Sequence, residues 1–188
     1  SPYISDTNTK NIIDIGSGKG NLLESFYTKF KQLNYFAVEP SHAFFKLNEK
    51  EFIKEKYYGF FNENIFDNVK FDYITLVEVL EHVPDPKSFL LSITKVMNED
   101  ALLLIEVPNF ANHKCDLLTI DHFSLFTENN LTNLLNLCGF KIVKKNISNR
   151  VPMQFIVKLE KNIDIDNSIN MSMESLLIYE KAITYVSK

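Results

Sequence analysis

Short apolar runs alternating with amphipathic stretches, a glycine-rich turn after the first run, and polar residues gathered where the runs end predict a doubly wound α/β domain. Strands covered on both faces by helices read as unbroken apolar segments, so the sheet is expected to be mostly parallel. A chain of 188 residues, 45% of them hydrophobic, buries roughly two-thirds of its unfolded surface and needs no disulfide framework.

The elements follow in order. Asn11 to Ile15 reads as the first strand and Gly20 to Leu33 as a helix. Tyr35 to Val38 is a second strand, and Ser41 caps a helix running to about Glu49. Lys54 to Tyr58 is a third strand and Phe71 to Val77 a fourth. Pro86 opens a helix to Met97, because its fixed φ and missing N–H suit a first turn. Ala101 to Val107 is a fifth strand, closed by Pro108. From Asn109 to Phe126 the patterning lapses over a length more typical of a lid or binding loop than of a connection. Thr127 caps a helix through Leu137 that Gly139 stops, and Phe140 to Asn146 and Met153 to Glu160 read as an antiparallel closing pair. Residues 1–161 are therefore expected to form one domain. Asn162 to Asn170 reads as a linker, and Met171 to Val186, with Leu176, Tyr179, Ile183 and Val186 at helical spacing, as a terminal helix expected to pack on the domain, pair with a partner or lead into further sequence.

A formal charge of −4 and a single arginine, Arg150, leave no electrostatic footprint for a nucleic acid. No apolar run approaches the ~18 residues of a membrane span. Cys115 and Cys138 are lone thiols without a CxxC pair, which fits a reducing compartment and argues against a cysteine-built zinc site. The opening Ser1-Pro2-Tyr3-Ile4 lacks a charged-then-apolar signal pattern, so the expected location is the cytoplasm.

The segment Ile12-Ile13-Asp14-Ile15-Gly16-Ser17-Gly18-Lys19-Gly20 is a buried strand running into a glycine-rich turn, where backbone comes close to a ligand. A nucleotide phosphate loop needs a glycine five residues before its Gly-Lys and a Ser or Thr after it; Ile13 and Gly20 hold those places. A dinucleotide fingerprint wants its third glycine three residues after Gly18, where Asn21 stands, so a nicotinamide-dependent oxidoreductase fits only imperfectly. The acidic residue followed by GxGxG, at Asp14, Gly16, Gly18 and Gly20, resembles the first motif of class I S-adenosylmethionine-dependent methyltransferases. That resemblance implies a Rossmann-like fold with helices on both faces and S-adenosyl-L-methionine as cofactor, with Asp14 at its methionine end and Ser17 among the glycines lining it.

Glu39, at the end of Phe36-Ala37-Val38-Glu39-Pro40, can accept two hydrogen bonds from a ribose diol and matches the second motif of the family, with Pro40 beside it. Asn62, Glu63 and Asn64 are the polar candidates for the adenine edge. The stretch from Phe71 through Glu78-Val79-Leu80-Glu81-His82-Val83-Pro84-Asp85-Pro86 resembles the E-x-L-E-H-V-x-D-P segment of small-molecule methyltransferases, including the ubiquinone-type O-methyltransferases. The resemblance places Glu78 and Val79 beside the cofactor. No metal is assigned, and Glu78, Glu81 and His82 are the positions that a metal would use, since the ubiquinone subgroup binds a divalent ion there. Pro108-Asn109, then Asp121-His122-Phe123-Ser124-Leu125-Phe126-Thr127 and a helix ending in Gly139-Phe140, is similar to methyltransferases of sugar and surface-polysaccharide pathways. It implies His122 as the base, with Asp121 as its neighbour. An imidazole of ordinary pKa near 6.5 suits proton removal at neutral pH. The cysteine-rich module and the large C-terminal domain of the nucleotide-sugar C-methyltransferases are missing from this pattern. His113 is a second candidate on the same loop, and His42 is expected to face solvent. Phe44-Phe45 and Tyr57 to Phe61 are expected to be packing residues.

The expected function is methylation of a hydroxyl or amine on a small polar acceptor, such as a sugar, nucleotide-linked sugar or surface-glycan precursor. The alternatives are an NAD-dependent oxidoreductase and a cofactor-binding module without turnover. Neither a nucleic acid nor a membrane is expected as a partner, and the terminal helix offers a route to a homodimer.

Overall fold

The computed structural model describes residues 10–112, 118–147 and 152–160. The elements are β1 (Asn11–Ile15), α1 (Asn21–Tyr27), β2 (Asn34–Glu39), α2 (Phe44–Asn48), β3 (Ile53–Tyr58), β4 (Phe71–Val77), a 3-10 turn (Leu80–His82), α3 (Pro86–Thr94), β5 (Met97–Val107), α4 (Glu128–Leu137), β6 (Phe140–Asn146) and β7 (Met153–Leu159). The strands form one seven-stranded sheet in the order β3-β2-β1-β4-β5-β7-β6. β1 pairs in parallel with β2 and β4, β2 with β3, and β6 pairs antiparallel with β7. The strand order reverses at β1, and open α/β sheets bind ligands outside the carboxyl ends of their strands at such a point. The expected α/β class, mostly parallel with antiparallel closing strands, is the observed one.

The elements differ from expectation mainly at their ends. The expected helix Gly20–Leu33 ends at Tyr27, with Thr28 as its cap. Turns take over because Leu33 N–H donates to Phe30 O at 3.2 Å and the Tyr35 hydroxyl to the same carbonyl at 2.8 Å. The helix from Pro86 stops at Thr94, and β5 begins at Met97, four residues earlier than expected. Asn98 can lie in a strand because its amide donates to Asp72 Oδ1 at 2.9 Å. The expected terminal helix and linker, the loop residues His113 and Cys115, and Arg150 lie outside the described residues.

The described residues divide into two compact units, the first running to 76 and taking in 92–103, the second made of 77–91 and the described residues from 104 onward. In the first, alternation along β2 sends Tyr35 and Ala37 to one face and Phe36 to the other. Ile12, Leu23, Leu33, Tyr35, Ala37 and Leu47 form a buried cluster there. Tyr27 stacks on Phe52 with centroids 4.5 Å apart, and Tyr35 meets both edge-on. Phe36, Phe66 and Phe71 form an edge-to-face trio on the opposite side. Edge-on contact places the positive rim of one ring against the negative face of the next.

In the second unit, Leu131 and Leu135 are one turn apart on α4 and fully buried. Thr127 starts that helix with a reciprocal box: its hydroxyl accepts from Asn130 N–H, and the Asn130 side chain accepts from Thr127 N–H at 2.8 Å. The irregular stretch after β5 holds neither α-helix nor strand among its described residues. Its ends are joined, because Phe110 N–H donates to Phe126 O at 2.8 Å.

Candidate active site

The first unit builds a cradle from the carboxyl ends of β1 and β2. Gly16 and Ser17 N–H both donate to Val38 O, at 2.9 and 3.0 Å, tying the turn to β2. Gly18 sits at φ +54 with nothing within 4 Å of where a Cβ would stand. Its N–H donates to Glu39 Oε2 at 2.6 Å, while Ser41 N–H donates to Oε1 at 2.7 Å. The Glu39 carboxylate, 5% exposed, is thus held by one N–H on each oxygen and keeps further lone pairs on both. Gly20 is required for a different reason. At φ +79 it caps α1, and a Cβ there would stand 2.7 Å from Leu47 Cδ1.

Asp14 lies beneath this turn, 3% exposed. It faces Thr75 across the β1–β4 pair, whose hydroxyl donates to Asp14 Oδ1 at 2.5 Å. Burial pushes the carboxyl up to about 7, against the opposing pull of the Thr75 and Ser17 hydrogen bonds, and the Glu39 charge adds to the rise. The Ser17 hydroxyl donates to Asp14 O at 2.6 Å. Asp14 and Ser17 therefore brace the glycine turn from below. Pro40 is exposed next to Glu39.

After β3, Asn62 Oδ1 accepts from Asn64 N–H at 3.1 Å, and Glu63 is joined to Lys95 Nζ at 2.7 Å. That lysine holds the Glu63 carboxyl below its ordinary range. The geometry leaves Asn62 and Asn64 better suited than Glu63 to meet a base edge. His42 is exposed beside Phe45, as expected. Phe45 and Phe60 are 62% and 82% exposed, and Phe45 still meets the Tyr58 ring with centroids 6.1 Å apart.

The second unit gathers the remaining candidates. Glu78 has φ +55, a left-handed backbone unusual outside glycine, and its N–H donates to Glu106 O at 3.0 Å. Val79 leads from it into the 3-10 turn. Glu81 is 1% exposed, and its carbonyl accepts from Phe123 N–H at 2.8 Å and Ser124 N–H at 3.1 Å, which brings the 121–124 segment onto the turn. His82 Nδ1 donates to Asp121 O at 2.9 Å and lies 3.4 Å from Asp121 Oδ2. The His82 and His122 rings meet edge to face, 4.8 Å between centroids. Asp121 thus addresses His82 and not the expected His122; the hydrogen bonds from Phe123 and Ser124 set that orientation.

Ligand atoms of Glu81, His82 and His122 lie within 4.8 Å of one another. Among the described residues this is the group with metal-ligand spacing, and it replaces Glu78 of the expected set with His122, which the folded loop supplies. The donor set, one carboxylate and two imidazoles, suits a transition-metal ion such as zinc, manganese or iron(II).

Two residues of the site are not among those the motifs mark. Thr75 is a polar residue at the centre of an apolar strand, and that anomaly marks it. Ser41 acts through its main chain, for which residue identity holds no information.

A doubly wound sheet reversing at β1, with a glycine turn and a buried carboxylate at adjacent strand ends, is the arrangement of α/β domains that bind an adenosine-containing cofactor, dinucleotide or S-adenosylmethionine, and the family match decides between them. The family model described as "Methyltransferase domain" matches residues 2–145, and the chain belongs to that family. The match decides against the oxidoreductase reading. The chain is 32% identical over 126 residues to the ubiquinone biosynthesis O-methyltransferase of Glaesserella parasuis serovar 5 (strain SH0165), covering 57% of this chain and 50% of that protein. It is 30% identical over 113 residues to the mitochondrial ubiquinone biosynthesis O-methyltransferase of Dictyostelium discoideum, covering 53% and 35%. The chain thus spans half or less of the length of these curated relatives. Among solved structures, an S-adenosylmethionine-dependent methyltransferase from Clostridium acetobutylicum ATCC 824 superposes with a TM-score of 0.64 at 16% identity, covering 79% of this chain and 83% of that one. The plantazolicin methyltransferase BpumL, solved with S-adenosylhomocysteine, superposes at 0.67 and 13% identity, covering 82% and 77%. At these identities the structures bear on the fold. No described helix is long and apolar enough to cross a membrane.

Proposed function

We propose that the chain transfers a methyl group from S-adenosylmethionine to a hydroxyl or amine of a small acceptor. The observation that carries this reading is the buried Glu39 carboxylate, fixed by Gly18 and Ser41 N–H groups with acceptor capacity to spare. A ribose diol presents two donors to such a group. Asn62 and Asn64 would meet the adenine edge, and Glu78 and Val79 the sulfur-bearing side. The donor supplies an electrophilic methyl on a positively charged sulfur, so the acceptor oxygen or nitrogen gains the methyl as the carbon–sulfur bond breaks. The chain has to hold the acceptor in line and take its proton. His122 would receive that proton, with His82, oriented by Asp121, beside it.

Both curated relatives are named as O-methyltransferases, which favours oxygen over nitrogen. The sugar or surface-glycan acceptor rests only on the resemblance of the Asp121 to Thr127 segment. Titration calorimetry with S-adenosylhomocysteine tests the cofactor part: Glu39→Ala should weaken binding by ~1–3 kcal/mol through lost charged hydrogen bonds. Unchanged affinity would refute the placement of the ribose. For the acceptor part, His122→Ala should lower turnover at least tenfold while leaving that affinity intact.

A second reading is favoured by one observation, the closeness of Glu81, His82 and His122. They would hold a divalent ion that polarises an acceptor hydroxyl, and His122 would then be a ligand instead of a base. Calorimetry with manganese or zinc alone separates the two, because a ligand set binds the ion and loses it in Glu81→Gln. A proton-accepting His122 predicts full activity in chelator.

A further inference from the structure

We infer that Glu106 is a specificity residue for the acceptor, selecting molecules that present a hydrogen-bond donor or a positive charge and rejecting those that present an anion. The inference rests on the methyltransferase reading and deepens it.

Glu106 is the penultimate residue of β5, at the carboxyl end where open α/β sheets receive ligands. Its neighbours on the strand, Ile105 and Val107, are fully buried, so alternation turns the carboxylate to the other face, where it is half-buried. Gln154, second residue of β7, donates its side-chain amide to Glu106 Oε2. The Gln154 carbonyl in turn accepts from the Asn146 amide at 3.3 Å, at the end of β6. Three strand ends therefore converge on one carboxylate through a one-way series of amide donors. The series fixes Oε2 and the plane of the carboxylate, leaving Oε1 to accept from a ligand.

No described lysine, arginine or histidine forms an ion pair with Glu106, in contrast to Glu63, Glu128 and Glu160, each of which is joined to a lysine. A half-buried carboxylate without a cation recruits a donor or a positive charge and repels an anion. Its own carbonyl also accepts the N–H of Glu78, whose left-handed backbone turns β4 into the 3-10 turn. Main chain and side chain of one residue thus secure the strand-end corner and face the ligand. In the sequence Glu106 stands in the segment Ile105-Glu106-Val107-Pro108-Asn109, where nothing singles out its side chain.

The test uses three phenols that differ in one substituent: tyramine, 4-methylphenol and 4-hydroxybenzoate. Each is added to the chain loaded with S-adenosylhomocysteine, binding is measured by saturation-transfer NMR, and turnover is measured with S-adenosylmethionine. Tyramine should bind roughly tenfold or more tighter than 4-hydroxybenzoate, with 4-methylphenol between them. Glu106→Gln, which keeps the shape of the side chain, should erase that order and leave affinity for S-adenosylhomocysteine within about twofold, the size of an effect outside the cofactor site. Gln154→Leu, which removes the support but not the charge, should keep the order and weaken all three. An unchanged order in Glu106→Gln, a preference for 4-hydroxybenzoate in the parent, or no binding of any probe would overturn the inference. Failure of S-adenosylhomocysteine itself to bind would instead overturn the methyltransferase reading on which it stands.

Discussion

Asp14 shows how a single burial changes a residue's chemistry. In the unfolded chain its carboxyl releases a proton near 3.8, whereas burial raises the folded value to about 7. Between those values the folded state holds a proton that the unfolded state has lost, so stability falls as pH rises through about 4 to 7 and the loss is complete above that window. At about 1.4 kcal/mol per pH unit, the effect is of the order of a few kcal/mol. Asp14→Asn keeps the acceptor for the Thr75 hydroxyl and removes the ionisation. Urea unfolding of the variant at pH 5 and pH 8 should give nearly equal stabilities, where the parent is weaker at pH 8. A parent with a flat profile would show that Asp14 ionises without cost.

At the scale of elements, two short helices depend on their first residues. Gly20 caps α1 in the left-handed region with Leu47 and Lys50 pressed against it. Gly20→Ala should cost about 1–3 kcal/mol, combining backbone strain with overpacking. Thermal melts read it directly, and a change within 0.3 kcal/mol would mean that the Leu47 side chain moves aside. Thr127 starts α4 with the capping box, so Thr127→Ala should cost about 1 kcal/mol, and Thr127→Ser should restore most of it. The capping residue of α4 was legible because a Thr stood at the head of an amphipathic run. The end of α1 was not, since the turn after it is closed at Phe30 O by Leu33 N–H and the Tyr35 hydroxyl, local bonds that leave no mark in the hydrophobic period.

For the molecule as a whole, cofactor binding and folding are linked. A ligand that binds only the folded chain stabilises it by ~2.7 kcal/mol at a hundredfold excess over its dissociation constant. S-adenosylhomocysteine should therefore raise the melting temperature of the parent and raise that of Glu39→Ala much less. Equal shifts would place the nucleoside elsewhere. The β1 turn and Glu39 were legible because both lie in a contiguous strand-to-turn segment whose geometry is local. The pairing of Asp121 with His82, the entry of His122 into the group with Glu81, and the convergence of Gln154 on Glu106 were not. Each joins residues 39 to 48 positions apart, or brought together by the hydrogen bonds of one loop to Glu81 O.

The amino-acid sequence alone determined the α/β class, the strands, and the glycine turn with its two acidic companions, because hydrophobic period and backbone freedom act over a few neighbouring residues. Tertiary structure alone decided which histidine Asp121 orients, which carboxylate joins the imidazoles, and that Gln154 and Asn146 converge on Glu106. Those outcomes depend on directions and distances between strand ends, and separation along the chain carries no information about them.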